Sequence, residues 1–95
     1  MPASRAPRAN DGALVPPAMP RWTVYSRADC SLCERMLEEL AELLGPQAAE
    51  AVEVIDIEGQ PELERRYGTR IPVLAADGEF VCAYRLDVER IRTYL

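Results

Sequence analysis

The sequence predicts an α/β domain over residues 21–95 with the element order β-α-β-α-β-β-α, and three observations carry that prediction. A run of strand formers, Trp22 to Tyr25, stops just before Cys30-Ser31-Leu32-Cys33, and a helical pattern starts there. Gly45-Pro46 closes that pattern, and a second apolar run, Ala51 to Ile57, follows it. Asp77-Gly78 sits between two further apolar runs, the dipeptide that most favours a tight hairpin.

Taken in order, Arg21 to Ser26 forms the first strand. From Cys30, the residues Leu32, Met36, Leu37, Leu40, Leu43 and Leu44 recur every three or four positions and give a helix one apolar face. Glu34, Glu38 and Glu42 form a solvated stripe on the same helix. The second strand, Ala51 to Ile57, is apolar enough to be covered on both faces, as in a parallel βαβ unit. A short helix then opens at Pro61, places Leu63 and Tyr67 on one face and stops at Gly68. Ile71 to Ala75 is the third strand. Glu79 to Tyr84 returns as the fourth, with Phe80, Cys82 and Tyr84 facing one way and Val81 and Ala83 the other. Asp87 caps a last helix from Val88 to Leu95, with Leu86 and Ile91 as a hydrophobic staple around the cap.

Residues 1–20 hold five of the eight prolines and sustain no period, so a disordered tail is expected there, with no apolar core of a signal peptide. Translation from Met19 would remove that tail and leave the domain entire. No apolar run approaches the roughly 20 residues of a membrane span. The net charge is −5, and residues 21–95 carry nine arginines against fifteen acidic residues, which argues against a nucleic-acid partner. The chain has no histidine, so a histidine general base, a Cys–His dyad and a Cys₂His₂ zinc site are all excluded. Three cysteines make an odd number, which suits a reducing cytoplasm better than a secreted disulfide framework.

The chemistry is expected at Cys30 and Cys33. Cys-x-x-Cys where a strand turns into a helix reads as a redox dithiol. A helix N-terminus offers free N–H groups and partial positive charge, which stabilise the thiolate, the form that attacks disulfides. Asp29 and Glu34 oppose that effect and Arg27 favours it. Zinc would need carboxylate ligands or a second chain, so no metal site is assigned. Cys82 reads foremost as a small buried hydrophobe, with a third redox partner as the alternative.

Tyr25-Ser26-Arg27, Cys30-Ser31-Leu32-Cys33, Ile71-Pro72 and Arg85-Leu86-Asp87, in this order, resemble the small bacterial glutaredoxin-like proteins of the thioredoxin fold, over residues 21–95. That resemblance implies a four-stranded mixed sheet of order 2-1-3-4 with helices on both faces. It implies Cys30 as the exposed nucleophile, Cys33 as the buried resolving thiol, and a cis Pro72. It also implies that the Ile71 backbone pairs with substrate, and that Arg27 and Arg70 border the substrate groove. Ser31-Leu32 replaces the Pro-Tyr usual between the cysteines, and Cys82-Ala83 stands where Gly-Gly is usual. Tyr84-Arg85-Leu86 replaces a polar-acidic segment. The function implied is a monomeric thiol–disulfide oxidoreductase with no bound cofactor, acting in electron transport. Its partners would be disulfide-containing proteins or small-thiol disulfides. Its electrons would come from glutathione, another low-molecular-weight thiol or a thioredoxin-reductase-type enzyme. The alternative is a non-catalytic thioredoxin-fold binding module that holds a partner protein or a metal through the same cysteines.

Overall fold

The computed structural model describes residues 20–95. The tail expected over residues 1–20 therefore lies, apart from Pro20, outside the described residues. Four strands and four helices follow one another: β1 (Trp22–Ser26), α1 (Ser31–Leu44), α2 (Pro46–Glu50), β2 (Glu53–Asp56), α3 (Pro61–Tyr67), β3 (Val73–Ala76), β4 (Glu79–Ala83) and α4 (Val88–Arg92). The sheet order is β2-β1-β3-β4. β1 runs parallel to β2 with Val24 opposite Val54, and antiparallel to β3 with Val24 opposite Leu74. The mixed sheet expected from the resemblance is therefore present, in the expected order.

Alternation along β1 sets the two layers. Trp22 and Val24 are buried beneath α1 and α4, in one cluster with Met36, Leu40, Leu74 and Ile91. Trp22 meets Tyr94, just beyond α4, edge to face at 5.6 Å between centroids. Tyr25, on the opposite face, stacks on Tyr67 of α3 at 4.3 Å. Helices thus flank both faces of the sheet.

Four sequence expectations are corrected. Gly45-Pro46 ends α1 but also starts α2, because proline at the first helical position gives up an N–H that would have no partner there. β2 is not covered on both faces: it is an edge strand, and Val54 is 49% exposed. A cavity of about 140 Å³ beside Leu37, Ala41 and Val54 separates it from α1. Leu32 is exposed rather than part of the buried face of α1, where the buried residue of the first turn is Cys33. β4 does not alternate as expected, since the register jumps from Leu74–Cys82 to Ala75–Phe80. The bulge leaves Val81 as an extra residue, so Val81 and Cys82 are both buried while Phe80 and Tyr84 are exposed.

Other local signals are present as read. Asp77 (φ 51°) and Gly78 (φ 86°) are both left-handed, as a two-residue hairpin of this twist requires. Asp87 accepts the Arg90 N–H at 3.1 Å, and Leu86 and Ile91 both join the core around that cap. Gly68 ends α3 with ordinary right-handed backbone, and its role is space: a Cβ there would run into the Glu64 carbonyl. None of the described helices is long and apolar enough to cross a membrane.

Candidate functional site

The site is built where β1 ends. The chain leaves Ser26, a buried polar residue, and turns through Asp29 in left-handed backbone (φ 56°), a conformation that aspartate tolerates better than most residues. Cys30 follows as the N-cap of α1, with extended backbone. Its sulfur accepts the Cys33 N–H at 3.1 Å, in the place that a serine or aspartate oxygen takes at other helix starts. A helix N–H aimed at a sulfur favours the charged form of that sulfur, as does the helix dipole.

Cys30 and Cys33 are joined as a disulfide with Cα atoms 5.2 Å apart. Cys30 is half-buried, whereas Cys33 is only 2% exposed, packed on the inner side of α1. Solvent therefore reaches the pair from the Cys30 side. The order of exposure is the one implied by the resemblance.

β3 brings the second part of the site. Its antiparallel register sets Val73 opposite Tyr25, which carries Ile71-Pro72 to the end of β1 from which the loop to Cys30 leaves. The Ile71–Pro72 peptide bond is cis, and Pro72 is fully buried. The Pro72 carbonyl accepts the Tyr84 N–H at 2.9 Å. Ile71 makes no backbone hydrogen bond among the described residues, so its N–H and C=O are not committed to the sheet.

The two arginines singled out in the sequence lie to one side. Arg27 Nη2 is 3.5 Å from where a Cβ on Gly68 would sit, which places the guanidinium at the C-terminal end of α3, where a cation meets the negative end of the helix dipole. Arg70 lies over the Phe80 ring at 5.3 Å, and its guanidinium donates to the Arg66 carbonyl at 3.4 Å. Neither lines the large groove next to the thiols. Cys82 is a free, buried thiol; burial pushes its pKa above the ordinary value. Among the described residues no group of three or more metal-binding side chains converges.

Sequence reasoning named Tyr84 only within the fourth strand and the Tyr84-Arg85-Leu86 segment, and missed what the residue does there. It adopts left-handed backbone (φ 69°), uncommon for a bulky residue, and its hydroxyl donates to the Thr69 carbonyl at 2.8 Å. No sequence signal marks a tyrosine for that conformation; the Gly-Gly comparison pointed two residues upstream, to Cys82-Ala83. It also missed a groove of about 920 Å³ between α1 and the segment from Tyr84 to α4, which starts at Ser31 and Leu32.

The model of the Glutaredoxin-like domain (DUF836) family matches residues 21–95. The chain belongs to that family. It is 32% identical over 78 residues to uncharacterised proteins of Mycobacterium tuberculosis and Mycobacterium bovis, covering 77% of this chain and 79% of each relative. A protein of Nitrosomonas europaea solved by NMR in solution shares 35% identity and superposes with a TM-score of 0.71, over 90% of this chain and 98% of its own. A protein of X. campestris solved by X-ray diffraction shares 32% identity with a TM-score of 0.63, over 77% of this chain and 92% of its own. Membership of a glutaredoxin-like family and a Cys-x-x-Cys pair at disulfide distance fit thiol–disulfide chemistry.

Proposed function

We propose that the protein is a thiol–disulfide oxidoreductase that reduces disulfides of proteins or of small thiols in the cytoplasm. The observation that carries this reading is the asymmetry of the pair: an accessible Cys30 sulfur accepting a helix N–H, above a buried Cys33. In the reduced protein the Cys30 thiolate attacks one sulfur of a substrate disulfide. A Cys30–substrate bond forms and the other substrate sulfur leaves as a thiolate, which takes up a proton. Cys33, deprotonated, then attacks the Cys30 sulfur, closing the Cys30–Cys33 disulfide and releasing the second substrate thiolate. Two electrons pass from the protein to the substrate. They are restored by two equivalents of glutathione or another low-molecular-weight thiol, or by a flavoprotein reductase of the thioredoxin-reductase type. The open N–H and C=O of Ile71 pair with the backbone of the substrate as an added strand, and Pro72 shapes the floor beside it.

The test is a redox titration in a thiol/disulfide buffer series, quenched by alkylation and read by intact mass. A reversible Cys30–Cys33 couple with a midpoint of roughly −200 to −270 mV is expected. Cys30→Ser should abolish disulfide reduction, and Cys33→Ser should accumulate a mixed disulfide on Cys30. A pair that never cycles, or a Cys30→Ser protein that keeps a bound partner unchanged, would replace this reading by that of a binding module.

A further inference from the structure

The groove along α1 is a surface that disulfide chemistry alone does not require. It begins at Ser31 and Leu32, the two residues between the thiols, and its opposite wall is Tyr84 and Arg85. The bond from the Tyr84 N–H to Pro72 fixes that wall at the same end of the sheet as the thiols. Leu32 and Tyr84 are 43% and 48% exposed, large apolar surfaces beside a reactive sulfur. Arg35, one helical turn beyond Ser31, and Arg85 both line the groove, and neither pairs with a carboxylate among the described residues. These two cations line the groove together with Ser31 and Leu32, whereas its carboxylates, Glu39 and Glu42, come further along α1.

We infer that this groove selects protein substrates by an acidic residue two positions from the disulfide cysteine. Arg35 lies five residues past Cys30, about 7.5 Å along the helix. An extended peptide covers about that distance in two residues, and residues two apart project to the same side. A substrate cysteine at Cys30 therefore presents its second neighbour to Arg35 and Arg85, while Leu32 and Tyr84 cover apolar atoms of the segment. Further along the groove Glu39 and Glu42 outnumber Arg92, so one acidic residue near the cysteine suits it better than a uniformly acidic run.

This inference rests on the oxidoreductase reading above, and the test separates the two. The substrates are synthetic peptides with one cysteine joined to 2-mercaptoethanol by a disulfide, differing only in Glu, Gln or Lys two positions away. The small uncharged 2-hydroxyethyl disulfide is the reference. The wild-type kcat/KM should fall from Glu to Gln by about three- to tenfold at low ionic strength, and further for Lys, with the ratio shrinking as salt is added. In the Arg35→Gln/Arg85→Gln protein the Glu-to-Gln ratio should approach one. Reduction of the reference and of all three peptides at equal efficiency would overturn the inference and leave the oxidoreductase reading standing. Failure to reduce any of the four would overturn both.

Discussion

The Tyr84 hydroxyl donates to the Thr69 carbonyl at 2.8 Å while the Tyr84 N–H donates to the Pro72 carbonyl at 2.9 Å. One residue thus ties both ends of the segment that carries Ile71 and the cis Pro72, and it does so from left-handed backbone. Tyr84→Phe removes only the hydroxyl bond. Because both partners are exposed, the loss should be about 0.5 kcal/mol, the low end of a net hydrogen bond. Amide exchange should quicken about twofold at Arg70 and at position 84, whose N–H groups are hydrogen-bonded, and stay unchanged in the centre of α1. Unchanged exchange at both amides would mean that the segment is held without the tyrosine hydroxyl.

Cys82 gives a dependence on pH. Burial raises its thiol pKa; the Asp87 carboxylate adds to this, while a hydrogen bond from the Asp87 backbone and the charge of Arg90 pull the other way. A thiol whose pKa is raised in the folded state contributes its stability in full below the ordinary thiol value, about 8.5. As pH climbs past that value the unfolded chain releases the proton and the folded chain keeps it, so the contribution is lost up to the folded pKa. The urea midpoint of the wild type should therefore fall more steeply above about pH 8.5 than that of Cys82→Ala. Parallel pH profiles for the two proteins would show that Cys82 does not titrate as its burial requires.

Position 32 tests the corrected face of α1. Leu32 is 43% exposed and Met36 is 1% exposed, although both fit the same apolar period. Leu32→Ala should change stability by no more than about 0.5 kcal/mol, whereas Met36→Ala should cost about 2–5 kcal/mol. Chemical denaturation of the two variants measures the difference directly. Equal losses would place Leu32 in the core after all.

These cases mark how far the sequence could be read. The strand before Cys30, the span of α1, the Asp77-Gly78 hairpin and the Asp87 cap were legible because each rests on local physics: residue period, a positive φ that glycine allows, a side-chain cap. The dithiol was legible for the same reason, since three residues of spacing place it on one helical turn. What was not legible depends on contacts far apart in sequence. The Val81 bulge is set by pairing with Leu74 and Ala75, and the exposure of β2 by how little of it α1 covers. Arg27 and Arg70 could be named as cations near the site, but where their guanidinium groups rest is decided by Gly68 and Phe80, which no spacing reveals.

Two glycines are needed for different reasons, and substitution should tell them apart. Gly78 has φ 86°, and a Cβ added there would meet nothing within 4 Å, so only its backbone resists a side chain. Gly78→Ala should cost about 1 kcal/mol, and Gly78→Asn less, because asparagine tolerates left-handed backbone. Gly68 has φ −55°, which any residue adopts, but its Cβ would meet the Glu64 carbonyl, whose own bond to the Gly68 N–H closes α3. Gly68→Ala should cost about 1–3 kcal/mol through that contact, and Gly68→Asn should give no relief. Because Arg27 Nη2 also lies beside that position, a displaced α3 terminus should shift the Arg27 signals as well. Urea melts of the four variants settle the matter: relief by asparagine at Gly68 would make backbone conformation, not space, the reason for glycine there.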